Sequence, residues 1–141
     1  MNLPNYSKAY EQWAPVVGRV LFGGLFLLGA SLKIPGTASF AGEVAMTASA
    51  GVPFATIAVL LALVIELVGG IALIIGWNAR IAAFVLAPFT LILTLIFHSN
   101  LADPNQAGMF TLHLTLIAGL LYTSVYGAQH AAVSKDALPQ S

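Results

Sequence analysis

Residues 54–76, FATIAVLLALVIELVGGIALIIG, decide the fold of this chain. Only Glu66 interrupts the apolar run. A helix rises 1.5 Å per residue, so roughly 20 apolar residues cross the roughly 30 Å hydrocarbon core of a bilayer. The run is too long for a strand and has no sustained period-two alternation. It therefore reads as a membrane-spanning helix. Working outward, three more segments qualify: about Trp13–Leu32, broken only by Arg19; about Arg80–His98; and about Gly108–Tyr126.

Composition agrees. Of 141 residues, 59% are hydrophobic and 7% charged, too few to coat a water-soluble surface. A soluble domain carries about 25% charged residues. The expected fold is therefore all-α, a single domain over residues 1–141 built as a four-helix transmembrane bundle in the lipid bilayer. Met1–Gln12 does not read as a signal peptide, because Lys8 is balanced by Glu11 and the next run carries Arg19. The first span is expected to be retained.

Breakers set the boundaries. Pro35–Gly36 follows span one, Gly51 and Pro53 precede span two, Gly76-Trp77-Asn78 turns between spans two and three, and Asp103-Pro104-Asn105 lies after span three. The stretch Thr37–Ala50 is too short to cross; Phe40, Ala41, Val44 and Ala48 at helical spacing predict a short interfacial helix. Pro88 removes one backbone N–H from span three and frees a carbonyl. With four spans both termini share a side. Lys8, Arg80 and Lys135 fall there and Lys33 opposite, so both termini are expected in the cytoplasm.

At 100° per residue, each span shows a small or polar stripe. Span one has Arg19, Gly23, Phe26, Ala30 and Lys33; span two has Ala55, Val59, Ala62, Glu66, Gly70, Leu73 and Trp77. Span three has Arg80, Ala83, Ala87, Thr90, Thr94 and His98; span four has Gly108, Thr111, Thr115, Gly119, Tyr122 and Tyr126. In lipid, such faces pack against other helices.

Ionisable groups inside a membrane are costly and mark function. Glu66 lies roughly 18 Å and Arg19 roughly 9 Å below their helix ends, by rise per residue. These depths nearly meet, which predicts an Arg19–Glu66 pair. Arg80 is expected to line a site with them, and Lys33 and His98 to guard the far mouth. Three interior cations against one carboxylate favour an anion or a polarised oxygen as ligand. Glu66 and His98 are the candidate proton-handling groups; Arg19, Lys33 and Arg80 are the candidate binding groups. Each also has a structural reading: an ion pair that locks helices, a snorkelling anchor, or a helix-end histidine. His113 falls about 160° from the Thr115–Gly119 stripe on helical-wheel arithmetic, toward a lipid headgroup or another subunit. No His–His metal site is therefore expected.

Other chemistry is excluded. The chain has no cysteine, so thiol redox and Cys-ligated metal sites are absent. Its net charge is zero, which gives no basic excess for nucleic acid. No GxGxxG, Walker lysine loop or HExxH occurs.

The pattern Arg19…Phe26…Gly29…Lys33, Gly51-Val52-Pro53, Glu66-Leu67-Val68-Gly69-Gly70, Gly76, Arg80 and His98 resembles the DoxX family over about residues 16–126. One departure stands in the last span, where many members carry Lys-Asn and this chain has Leu112-His113. The resemblance implies a four-helix protein of the bacterial cytoplasmic (inner) membrane, akin to subunits of thiosulfate:quinone oxidoreductase, with a quinone as cofactor. The expected function is thus a quinone-linked oxidoreductase component. The alternative is a non-catalytic subunit or scaffold that anchors a redox enzyme, with a protein partner or a homo-oligomer.

Overall fold

A computed structural model describes residues 7–128 and 130–133. The described residues form five helices and no strand: α1 (Lys8–Ser31), α2 (Ala38–Ser49), α3 (Ala55–Ile75), α4 (Ala79–Phe97) and α5 (Pro104–Tyr126). All except α2 are long and apolar enough to cross a membrane. The expected spans are therefore present.

Two helices start earlier than their apolar runs. Ser7 caps α1 by accepting from the Tyr10 amide, and Asp103 caps α5 by accepting from the Asn105 amide with Pro104 in the first turn. These first turns are polar, so hydropathy alone misses them. The α3–α4 turn closes with a Schellman motif: Trp77 N–H donates to Ala72 O at 2.9 Å and Gly76 N–H to Leu73 O at 3.3 Å. Gly76 takes the left-handed φ of 69° that this motif requires.

The long helices alternate in direction. Lys8, the 76–78 turn and Tyr126 share one end, here the near end; Phe54, His98 and Asp103 share the far end. α1 packs mainly on α3, and α4 mainly on α5. α3 also meets α4, whereas α1 and α5 scarcely touch. The α1–α3 approach depends on glycine: a Cβ on Gly23 would stand 2.5 Å from Gly70 O, and one on Gly70 would stand 2.9 Å from Gly23 O. Without hydrophobic attraction between helices in lipid, such close backbone packing supplies the dispersion energy. The core joins Phe26, Leu73, Ala83, Leu86, Ala87 and Leu120. Leu21, Leu28, Ile57, Val64, Phe84 and Leu95 point outward, as a lipid-facing surface requires.

α1 sits displaced toward the near end. Gly23 opposes Gly70, and Lys33, just past α1, meets Glu66, well inside α3. The first turns of α3 therefore run beyond α1, and α2 packs on α3. The short helix is capped by Thr37, whose side chain accepts from the Phe40 amide. Its inward residues are Phe40, Glu43, Val44 and Thr47, whereas Ala41 and Ala48 are exposed.

The inward stripes of α1, α3 and α4 largely match the sequence reading, except that Trp77 is exposed. The α5 stripe does not. Thr111, Thr115, Tyr122 and Tyr126 are exposed, while His113, Leu116, Ile117, Leu120 and Thr123 turn inward. α5 carries polar or small residues on two faces, so polarity cannot rank them.

Candidate functional site

The expected Arg19–Glu66 pair does not form; Glu66 pairs with Lys33. Lys33 Nζ lies 3.0 Å from Glu66 Oε2 and 3.1 Å from Gly29 O. Both side chains are buried. Rise-per-residue arithmetic treated α1 and α3 as flush. Because α1 is displaced, Lys33 sits at the depth of Glu66, and its ammonium folds inward rather than guarding the far mouth. Gly29 leaves room for the carboxylate: a Cβ there would stand 3.1 Å from Glu66 Oε2.

Arg19 instead clamps the near end. Nη1 donates to Leu73 O at 3.0 Å and Ile74 O at 3.1 Å, carbonyls in the last turn of α3. Nη2 donates to His130 O at 3.0 Å and to Ala131 O. A cation at a helix C-terminus also meets the negative end of the helix dipole. Arg80 behaves similarly, its Nε donating to Ser124 O in the last turn of α5 at 3.2 Å. Neither arginine lines the chamber that holds Glu66.

That chamber is a cavity of about 680 Å³ in the far half of the bundle, bordered by all five helices. Lys33 and Glu66 form one polar pair on its wall; His98 and His113 form another. Phe26, Val59, Leu93 and Leu116 supply apolar walls, and Glu43 and Thr47 come from α2. Leu25, Leu61, Ile92 and Leu112 line it while also standing exposed on the outer surface. The cavity therefore opens sideways toward the lipid-facing side.

His113 turns into this cavity rather than toward lipid headgroups or another subunit. Its Nδ1 lies 2.9 Å from Thr94 Oγ1, and its ring meets His98 edge-on with centroids 5.1 Å apart. Among the described residues, no group of three or more His, Cys, Asp or Glu could hold a metal ion. Sequence reasoning missed His113, Glu43 and Thr47. The available signal for His113 was the row His113, Leu116, Ile117, Leu120, which keeps an apolar helical spacing through a single polar position.

Thus three of five candidate residues, Lys33, Glu66 and His98, converge on one cavity with His113, while Arg19 and Arg80 tie helix ends at the other end. A mostly apolar chamber of this size with a few convergent polar groups suits a small amphipathic ligand.

Comparison with known proteins follows the same outline. The family model described as DoxX matches residues 14–99. The inner membrane protein YqjF of Escherichia coli (strain K12) is 32% identical over 120 residues, covering 85% of this chain and 88% of the relative. No solved structure matches.

Proposed function

The chain belongs to the DoxX family of integral membrane proteins, and we propose that it is the quinone-binding component of a quinone-linked oxidoreductase in the bacterial inner membrane. One observation carries the reading: a laterally open, largely apolar cavity with Lys33–Glu66 and His98–His113 on its wall. A lipid-soluble ring can enter from the side past Leu61 and Leu112 without crossing a polar surface. The volume falls within the roughly 300–1,000 Å³ of small-molecule sites.

A bound quinone supplies the electron-accepting ring that a cysteine-free chain lacks. The chain's own groups hold it and handle protons. Lys33 keeps one N–H beyond those given to Gly29 and Glu66, which is available to donate to a ligand oxygen. Glu66 and His98 take up or release the protons that accompany electron transfer. The apolar walls exclude water and strengthen each polar contact. Arg19 and Arg80 are left out of the site, since their guanidinium groups hold backbone carbonyls.

The test is decylubiquinone binding to purified protein in detergent, with mass spectrometry of the lipids it retains. Binding that falls about tenfold in Lys33→Met and His98→Phe, which remove the donors on the wall, supports the reading, as expected for one lost hydrogen bond of about 1.5 kcal/mol. No binding and no retained quinone sinks it.

The second reading, a scaffold for a redox partner, draws on α5. Its outer face exposes Gly108, Thr111 and Thr115, a small-residue surface that suits another helix. An inert bundle that co-purifies with a soluble enzyme would favour it.

A further inference from the structure

The far-half cavity is asymmetric in its hydrogen-bonding capacity, and the asymmetry is set by a chain of three residues. Thr94 is fully buried, and its hydroxyl lies 2.6 Å from Thr90 O and 2.9 Å from His113 Nδ1. A carbonyl only accepts, so the single Thr94 hydroxyl proton goes to Thr90 O. The Thr94 oxygen must then accept, and His113 Nδ1 must donate. A neutral imidazole that donates from Nδ1 carries its lone pair on Nε2. Among the described residues Nε2 has no hydrogen-bond partner, and the ring lines the cavity.

The rest of the wall leans the same way. Glu66 binds Lys33 through Oε2, and Oε1 makes no hydrogen bond to a described residue. Glu43 adds a second carboxylate. On the donor side, Lys33 retains one N–H. The hydroxyls of Thr90 and Thr94 already donate to Leu86 O and Thr90 O. His98, when neutral, and the Thr47 hydroxyl each offer both a donor and an acceptor, so neither tips the balance. Acceptors therefore exceed donors on the cavity wall.

We propose that this cavity selects a hydroxyl-bearing, hydrogen-bond-donating ring, the quinol form, over the carbonyl-bearing quinone, with His113 Nε2 as an accepting atom and Thr94 as its positioning residue. The proposal rests on the quinone-site reading and adds which redox form the resting protein holds. A quinol O–H meets a ready acceptor at His113 or Glu66. A quinone carbonyl there faces lone pair against lone pair and leaves buried polar groups unpaired, which disfavours it.

The test compares duroquinol and duroquinone binding to the full chain in detergent under anaerobic conditions, for wild type, His113→Phe and Thr94→Val. Wild type is expected to bind the quinol about tenfold more tightly, the equivalent of about 1.4 kcal/mol. Both variants should lose most of that preference, chiefly through weaker quinol binding, since an acceptor is removed. The nitrogen-15 shift of His113 Nε2 should be pyridine-like in wild type and change in Thr94→Val, a signature that a purely packing role would not produce. Equal binding of the two forms by wild type, or a preference untouched in both variants, overturns the proposal while leaving the quinone site standing. Binding of neither form overturns both.

Discussion

Lys33, just past the end of α1, places its ammonium 3.0 Å from the carboxylate of Glu66 in the middle of α3. This pair crosses the most intimate helix interface of the bundle, where Gly23 and Gly70 bring two backbones together. It combines a structural lock with a polar group on a cavity wall.

Breaking a buried pair by removing one partner typically costs about 3–5 kcal/mol. Glu66→Gln or Lys33→Met alone should therefore lower the Tm in detergent clearly. The double variant Lys33→Met/Glu66→Leu should recover much of the loss, because no unpaired charge remains. Arg19→Met combined with Glu66→Gln should show simple additivity. Coupling of Glu66 to Arg19 rather than to Lys33, measured as a double-mutant cycle, would contradict the pairing.

Arg19→Met should loosen the near end. The Val133 amide donates to Ile75 O at 3.1 Å beside the Arg19 clamp. Its hydrogen exchange should accelerate, and stability should fall by about 1.5–3 kcal/mol, as for a lost charged hydrogen bond. Quinone affinity in Arg19→Met should match wild type. A loss of affinity with the tail still protected would return Arg19 to the site.

Two neighbouring glycines give opposite expectations. Gly23→Ala drives a Cβ onto the Gly70 carbonyl and should cost about 1–3 kcal/mol by overpacking. Gly24→Ala meets nothing within 4 Å and should be neutral or slightly stabilising through helix propensity. Thermal unfolding of the pair decides this; equal effects would mean that α1 and α3 do not approach through Gly23.

Both termini are expected on the cytoplasmic side. Lys8 and Arg80 lie toward the near end, while Lys33 is buried at mid-depth, folded onto Glu66. Lys135 lies outside the described residues. The positive-inside bias therefore favours a cytoplasmic near end. Accessibility of a tag at each terminus in intact cells checks it, and labelling from outside would reverse the orientation.

The spans were legible because apolar length is a direct physical demand of the bilayer. The stripes of α1, α3 and α4 were legible because each has one small or polar face against a Leu, Ile and Phe face. Axial offset was not legible. Nothing local in residues 13–32 records that α1 is displaced along α3, and that displacement exchanged Arg19 for Lys33 as the partner of Glu66. α5 was misread for a different reason. Its threonines return their hydroxyls to their own helix, Thr111 to Ala107 O and Thr115 to Thr111 O, and so tolerate an outward position. His113, a polar residue that does turn inward, sits among leucines that disguise it.

The central claim is that ligand binds in the far-half cavity between Lys33–Glu66 and His98–His113. Photolabelling with an azidoquinone, followed by peptide mapping of the purified protein, tests it most directly. The account predicts label on residues 89–98 and 109–116, competed by unlabelled quinone and reduced in His98→Phe. Label confined to the crevice between α1 and α5 at the near end, around Phe22, Tyr122 and Tyr126, or label that unlabelled quinone does not displace, would contradict it.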